Sequence, residues 1–331
     1  MRNLSKARAL YAKFLIGAGL GFVGLAAICV ALFALQLGRP TKEGSERCAL
    51  VEAKQTIALA QTQPKVLLVG GSGVHQGLGA DLMSQRLGKP VVNLGSFAGL
   101  TADEILYRTK QAARPGDAVV LAFEYKFYSG RMPSTVAIDF AMSCGGPYFA
   151  QMPLLQKIQF IVATPVVRIV NVLRHKPEPG LMDRTRSRMS DHGDRLRDRA
   201  VFPVQSAKLH ERVSLYRPMF ITVDGKGPEA EAIARFAKWA KDNNVCVVAT
   251  WPNTIYFDSY AQSSAFKKIR AQYEAIGVQV IGEPQDAMFE PSMFYDTQYH
   301  LDIPGIERRT QRFADIVQST NLRDPACRGR L

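Results

Sequence analysis

Hydrophobic positions fall into one long unbroken run and a series of short ones. Phe14–Leu37 reads FLIGAGLGFVGLAAICVALFALQL and carries no charge. At 1.5 Å per residue it is about 36 Å of helix, enough to cross a hydrocarbon core of about 30 Å. The short runs are Lys65–Val69, Pro90–Leu94, Ala118–Phe123, Val245–Thr250 and Val278–Ile281. Each is rich in branched residues, and turn residues such as Gly70-Gly71 and Pro115-Gly116-Asp117 punctuate them, so the pattern predicts buried strands. Between them lie segments with helical spacing: Leu78–Leu87, a helix capped by Thr101 and running to Ala113, Glu229–Asn243, Ser259–Ile276 and Gly305–Gln318. Short apolar strands alternating with helices imply a parallel sheet covered on both faces.

The expected fold class is α/β, a flavodoxin-like doubly wound parallel sheet with an N-terminal transmembrane helix and a helical insertion. Its site is expected at the carboxyl ends of the strands. The division expected is a basic tail at 1–13, a signal anchor at 14–37, a linker and short helix at 38–62, and the α/β domain at 63–331. Residues 126–226 break the rhythm and form the insertion. Within it, Gln151–Leu173 is apolar and helix-like, but Pro165 interrupts it and Lys157 and Arg168 charge it. A helix pair packed on the domain or lying at a membrane surface fits better than a second span. His175–Lys226 reads as a solvated insertion or lid, with Arg184, Arg186, Arg188, Arg195, Arg197 and Arg199 recurring among acids and His175, His192 and His210 facing solvent. Contact with an anionic glycan or with lipid headgroups is the functional alternative for that run.

Composition changes this picture only in part. With 47% hydrophobic and 21% charged residues over 331 positions, disordered and fibrous classes are excluded. The net charge of +13 suits nucleic acid or an anionic membrane equally well. The anchor decides between them. Arg2, Lys6, Arg8 and Lys13 precede it, which leaves the N-terminus cytoplasmic and everything after Arg39 outside, in the periplasm of a Gram-negative cell. Nucleic acid is therefore not an expected partner, and the inner membrane is. Gly17 and Gly21 form a G-x-x-x-G, given little weight in a glycine-rich span. None of the five cysteines forms a C-x-x-C pair, which argues against a zinc site, and no cofactor or metal is expected. Cys48, Cys144, Cys246 and Cys327 would meet an oxidising compartment. Cys246, inside VCVVAT, is expected to be a buried thiol; pairing among the other three stays open.

Candidate chemistry begins at Val69-Gly70-Gly71-Ser72-Gly73. A serine directly after a buried parallel strand stands at the mouth of the sheet. A serine nucleophile needs a base, and His300, in FYDTQYHL before the last helix, returns to the same edge. Asp296 is close enough in sequence to orient the imidazole. Backbone amides for an oxyanion are expected from the loop Asn93–Thr101, which carries two glycines.

Taken together, the strand–GGS, strand–NLGSFAGLT, strand and late DTQYHLDIPG blocks resemble the SGNH/GDSL-like hydrolase superfamily over about residues 65–125 and 245–318. The resemblance implies Ser72 as nucleophile, Asp296 and His300 as its partners, and Ser72 and Gly99 as oxyanion donors. The chain departs from the family in three places. It has Gly-Gly-Ser for Gly-Asp-Ser and a spacing of four between Asp and His. Phe123-Glu124-Tyr125-Lys126 stands where Gly-x-Asn-Asp should supply a side-chain donor, a role left to Tyr125 or Lys126. It looks most like the membrane-anchored branch that acylates exported polysaccharides. The expected function is periplasmic serine-dependent acyl transfer, as O-acetyltransferase or esterase, on an exported glycan or acyl-ester substrate, with membrane proteins of polysaccharide synthesis as partners. The alternative is a non-catalytic assembly or glycan-binding component of the same fold. A tethered carbohydrate-binding module using Trp251, Tyr256 and Tyr295 as stacking platforms ranks last.

Overall fold

The computed structural model describes residues 2–97, 99–129, 133–197, 209 and 211–331. His210 and Arg199 lie outside the described residues. The chain divides into two compact units, Met1–Ser45 with Ile138–Pro177, and Glu46–Ala137 with Glu178–Leu331.

The first unit is helical. Arg2–Gln36 is one helix, and its Arg8–Gln36 portion is long and apolar enough to cross a membrane. Its side chains face outward almost throughout; near its end Phe33 is buried, its ring 5.0 Å from that of Phe149. The apolar stretch expected over Gln151–Leu173 is cut where Pro165 cuts the pattern, into Leu154–Ala163 and Val167–Arg174, inclined at 78°. Proline removes an amide donor and clashes with the preceding turn, which ends the first helix. Arg168, at the start of the second, is buried. It donates through Nε to Asp139 Oδ1 at 2.9 Å, and through Nη2 to Arg39 O at 3.0 Å and Ser143 Oγ at 3.2 Å. His175, expected in solvent, is instead hydrogen-bonded through Nε2 to Ser45 Oγ at 2.9 Å.

The second unit is an α/β structure. Its strands are β1 (Val66–Val69), β2 (Val91–Asn93), β3 (Ala118–Leu121), β4 (Cys246–Ala249), β5 (Thr254–Ile255), β6 (Gln279–Val280) and β7 (Met288–Phe289). Five form a parallel sheet in the order β2-β1-β3-β4-β6, and β5 pairs with β7 in a small parallel ribbon. The register sets Val66 beside both Val91 and Ala118, and Ala118 beside Cys246. Alternate residues point to opposite faces. Val66, Leu68, Val120 and Val248 meet Met83 of the Ala80–Leu87 helix and Phe313, Ala314 and Val317 of the Ile303–Ser319 helix. Helices Ala102–Ala112 and Pro228–Asp242 pack on each other, and Pro228–Asp242 also packs on β4. Thr101 caps the former as expected, accepting from Glu104 N at 3.1 Å. The 38–62 segment is more helical than expected, because Lys42–Ala60 is one helix whose Val51, Ala53, Ile57 and Ala58 are buried.

Cys246 is not a thiol. It is disulfide-bonded to Cys327 across 81 residues, because the short Pro325–Cys327 turn returns to the start of β4. Cys48 and Cys144 are disulfide-bonded as well, and Cys29 in the long apolar helix is free.

Candidate functional site

The chain leaves β1 for β2 on one side and later lays β3 on the other. Strand order therefore reverses at β1/β3, and the crevice beyond their carboxyl ends is where open α/β sheets hold ligands. Ser72 stands on the β1 side of that crevice and Glu124 on the β3 side. Ser72 opens a one-turn helix, Ser72–His75. The glycines around it permit close approach: a Cβ at Gly70 would lie 2.6 Å from Ala122 O, and one at Gly71 would lie 2.6 Å from each oxygen of Glu124.

Glu124 is fully buried. Gly73 N donates to its Oε1 at 2.7 Å and Gly71 N to its Oε2 at 3.1 Å, and the Ser72 hydroxyl lies 3.5 Å from Oε1, at the long limit of a hydrogen bond. The place where the resemblance leads one to expect a side-chain donor thus holds an acceptor, and two amides of the serine turn are engaged by it. Tyr125 is buried, its hydroxyl has no hydrogen-bond partner among the described residues, and burial raises its pKa. Lys126 is exposed, its ammonium over the Phe127 ring at 5.2 Å. Neither is hydrogen-bonded to Ser72 among the described residues.

The loop after β2 braces the serine turn. Ser96 donates to Gly70 O through N at 3.0 Å and through Oγ at 3.2 Å. A Cβ at Gly95 would come within 2.2 Å of His75 N, so only glycine fits there. Lys54, buried, donates to Asn93 Oδ1 at 2.9 Å and Gly95 O at 2.8 Å, and burial lowers its pKa to about 7 against the opposing pull of Asp194. This lysine was not apparent as a site residue in the sequence, since its partners lie about forty positions away. Gly99 lies farther along the loop; its carbonyl accepts from Ser134 Oγ at 2.5 Å and its α-carbon packs against Val136.

The late loop docks on the same turn. Leu301 N donates to Gln76 O at 3.1 Å, and Asn253 Nδ2 donates to Tyr299 O. Within the loop Tyr295 N donates to His300 O at 2.8 Å, a tight return that accommodates the four-residue spacing. His300 Nδ1 and Asp296 Oδ1 are 2.7 Å apart. An ionised carboxylate can only accept, which places the ring hydrogen on Nδ1 and leaves Nε2 as the basic nitrogen. The structure therefore joins Asp296 to His300, and joins their loop to the segment that begins with Ser72. Among the described residues no hydrogen bond links Ser72 Oγ to the His300 ring.

Beside the turn lies a cavity of about 230 Å³ lined by His75, Gly79, Arg195, Arg197, Ile303 and Glu307, among others. His75 Nδ1 is buried, with no hydrogen-bond partner among the described residues. Burial holds its pKa well below the usual imidazole value, and the positive groups of Lys54, Arg195, Arg197 and His300 add to that effect. Arg197 donates through Nη2 to Gln76 Oε1, and burial draws its pKa down to about 10.

The arginine-bearing insertion is therefore two things. Arg184 and Arg186 form exposed pairs with Glu178 and Asp191, as the plain reading of the run expects. Residues 189–197 instead dock on the β2 edge. Asn93 N donates to His192 O at 2.9 Å, His192 Nδ1 donates to Val91 O at 2.7 Å, and Asp194 accepts from Asp81 N at 2.8 Å and Asn93 Nδ2 at 3.1 Å. His192 is thus an edge contact and not a solvent-facing group. Trp251 is no stacking platform: it is 2% exposed, and its indole N–H donates to Gly282 O at 3.0 Å. No protein-family model matches the chain, and no curated protein matches it.

Proposed function

We propose that this chain is a membrane-anchored, extracytoplasmic acyl-transfer protein of SGNH-like, flavodoxin-like doubly wound architecture, acting on an exported polysaccharide or cell-wall glycan. The observation that carries the reading is the Asp296–His300 pair at 2.7 Å, on a loop tied through Leu301 to the turn that presents Ser72. The 2-1-3-4-6 strand order supports the fold assignment, and the apolar helix with the disulfides supports an inner-membrane anchor and a periplasmic domain.

In this mechanism Ser72 Oγ attacks the carbonyl of an acyl ester while His300 Nε2 takes its proton. The developing oxyanion is held by the backbone N–H groups of Ser72 and Gly99. The ester C–O bond breaks, its alkoxide leaves with the proton from His300, and an acyl-serine remains. A glycan hydroxyl, or water, then loses its proton to His300, attacks the acyl group and frees Ser72. Asp296 holds the tautomer throughout. The cavity beside His75, lined by two arginines, three acids (Asp81, Asp194 and Glu307) and aliphatic side chains, suits a sugar acceptor that needs hydrogen bonds at its rim and apolar contact at its face. The test is mass spectrometry after exposure to an activated acetyl ester. An acetyl adduct on Ser72, absent in Ser72→Ala and slowed in His300→Ala, supports acyl transfer; full turnover by both variants removes it.

Glu124 favours a second reading, a catalytically silent component that binds glycan or assembles with membrane synthase subunits. A carboxylate beside the serine replaces the donor that an active site needs. That reading expects no adduct on Ser72 and expects the synthase subunits to co-purify with the chain.

A further inference from the structure

The helix pair Leu154–Ala163 and Val167–Arg174 leaves an apolar face uncovered. Leu154, Leu155 and Val162 line one side of the first helix at 74%, 68% and 80% exposure, and Val166, Val170 and Leu173 form an i, i+4, i+7 stripe on the second at 80%, 40% and 75%. Exposed apolar stripes of this kind mark an interaction surface.

Three observations identify what it meets. The pair belongs to the same compact unit as the membrane-crossing helix, and the first helix packs against that helix directly. Arg168 bonds to Gln36 and Arg39, at the end of that helix, and to Asp139 and Ser143 of the same unit, and His175, just past the pair, bonds to Ser45. The apolar stripes are therefore turned away from these anchors. Finally, no acidic residue occurs between Gln151 and Lys176, whereas Lys157, Arg174 and Lys176 are basic, a composition suited to anionic headgroups. Neither helix can cross a bilayer, since 10 and 8 residues give about 15 and 12 Å against a core of about 30 Å.

We infer that Leu154–Arg174 is a second membrane element, a bent helix pair sunk into the leaflet from which the long helix emerges, with lipid covering both stripes. The inference rests on the reading that Arg8–Gln36 spans the membrane. It gives the bend at Pro165 a role: both short helices can lie in the interface while Arg168 fixes the bend to the end of the span. The basic side chains would extend their charges to the headgroups from the same depth.

The experiment uses the full chain with Cys29→Ala, reconstituted into vesicles of phosphatidylethanolamine with a minority of phosphatidylglycerol. Val162→Cys, Leu173→Cys and Lys176→Cys are each treated with a water-soluble maleimide, or labelled with a polarity-sensitive dye in vesicles carrying a nitroxide lipid. Positions 162 and 173 are expected to alkylate at least about tenfold more slowly than position 176, and their dyes to be quenched by the nitroxide. Equal alkylation rates without quenching, in chains that stay with the vesicles after alkaline carbonate, overturn the inference. Protection that disappears when the protein is diluted in the bilayer also overturns it, because a second copy would then be the cover. Release of the chain by carbonate removes the span itself, and the inference with it, while leaving the Ser72 chemistry to its own test.

Discussion

A buried carboxylate against a serine turn is costly unless its charge is used, and Glu124 uses it on two backbone amides. Gln in its place keeps one oxygen and turns an NH2 toward an N–H that needs an acceptor. Glu124→Gln is therefore expected to destabilise the fold by about 1–3 kcal/mol, read as a lower denaturant midpoint with unchanged slope. An unchanged midpoint would mean the two amides do not depend on the charge. Ser72, Asp296 and His300 each stand out in the sequence through a local pattern: a serine after a strand, or an acid four positions before a histidine. Glu124 was visible only as a departure from Gly-x-Asn-Asp. Its direction was not, since Leu121–Glu124 is buried at every position and alternation carries no information there. Lys54 was invisible for a different reason. Nothing near it in sequence marks it as buried, and its partners Asn93 and Gly95 come from another part of the fold.

The elements themselves were legible to within a residue or two wherever a strand was fully buried, because such a run has no other way to be apolar on both faces. The late helices shifted more. Asp302 caps the last one, with Gly305 N donating to its Oδ1 at 2.8 Å, so it starts at Ile303 ahead of the expected Gly305. The docking of residues 189–197 on β2 left no trace in hydropathy, since it is made through carbonyls, amides and an imidazole. Between elements, the contact of Ala102–Ala112 with Pro228–Asp242 encloses two acids, Glu104 fully and Glu229 in part. Burial raises Glu104 and Glu229 from the ordinary 4.5 to about 7, with Arg108 and the Ala102 amide pulling the other way. Unfolded chains release these protons near 4.5 and the fold releases them near 7. The stability that the two groups supply is therefore complete below the lower value and is lost as pH rises through the upper one. Glu104→Gln keeps an acceptor for Arg108 and removes one titration. It is expected to match the parent near pH 4 and to exceed it by about 1–3 kcal/mol near pH 8, in urea melts at both values. A variant that weakens the fold equally at both would show that the carboxyl is ionised throughout.

At the scale of the molecule, the covalent link outweighs any single contact. Closing 81 residues between Cys246 and Cys327 removes about 4.5 kcal/mol of chain entropy from the unfolded state. Cys246→Ser should lower the thermal midpoint accordingly under oxidising conditions, and with both proteins in reductant, where the bonds of Cys48 and Cys144 are lost from each, parent and variant should melt together. An unchanged midpoint in the variant would show that the link is idle. Local reading missed this pair because VCVVAT looks like any buried strand, and what occupies the cysteine is a turn at the other end of the domain. The placement also bears on how the protein matures. Synthesis is vectorial, so Cys246 is made while its partner is still unmade, with Cys48 and Cys144 already upstream. Four cysteines permit three pairings, and the native one is open only to the nearly finished chain. The yield of correctly oxidised protein should therefore depend on disulfide isomerisation, a process of seconds to hours.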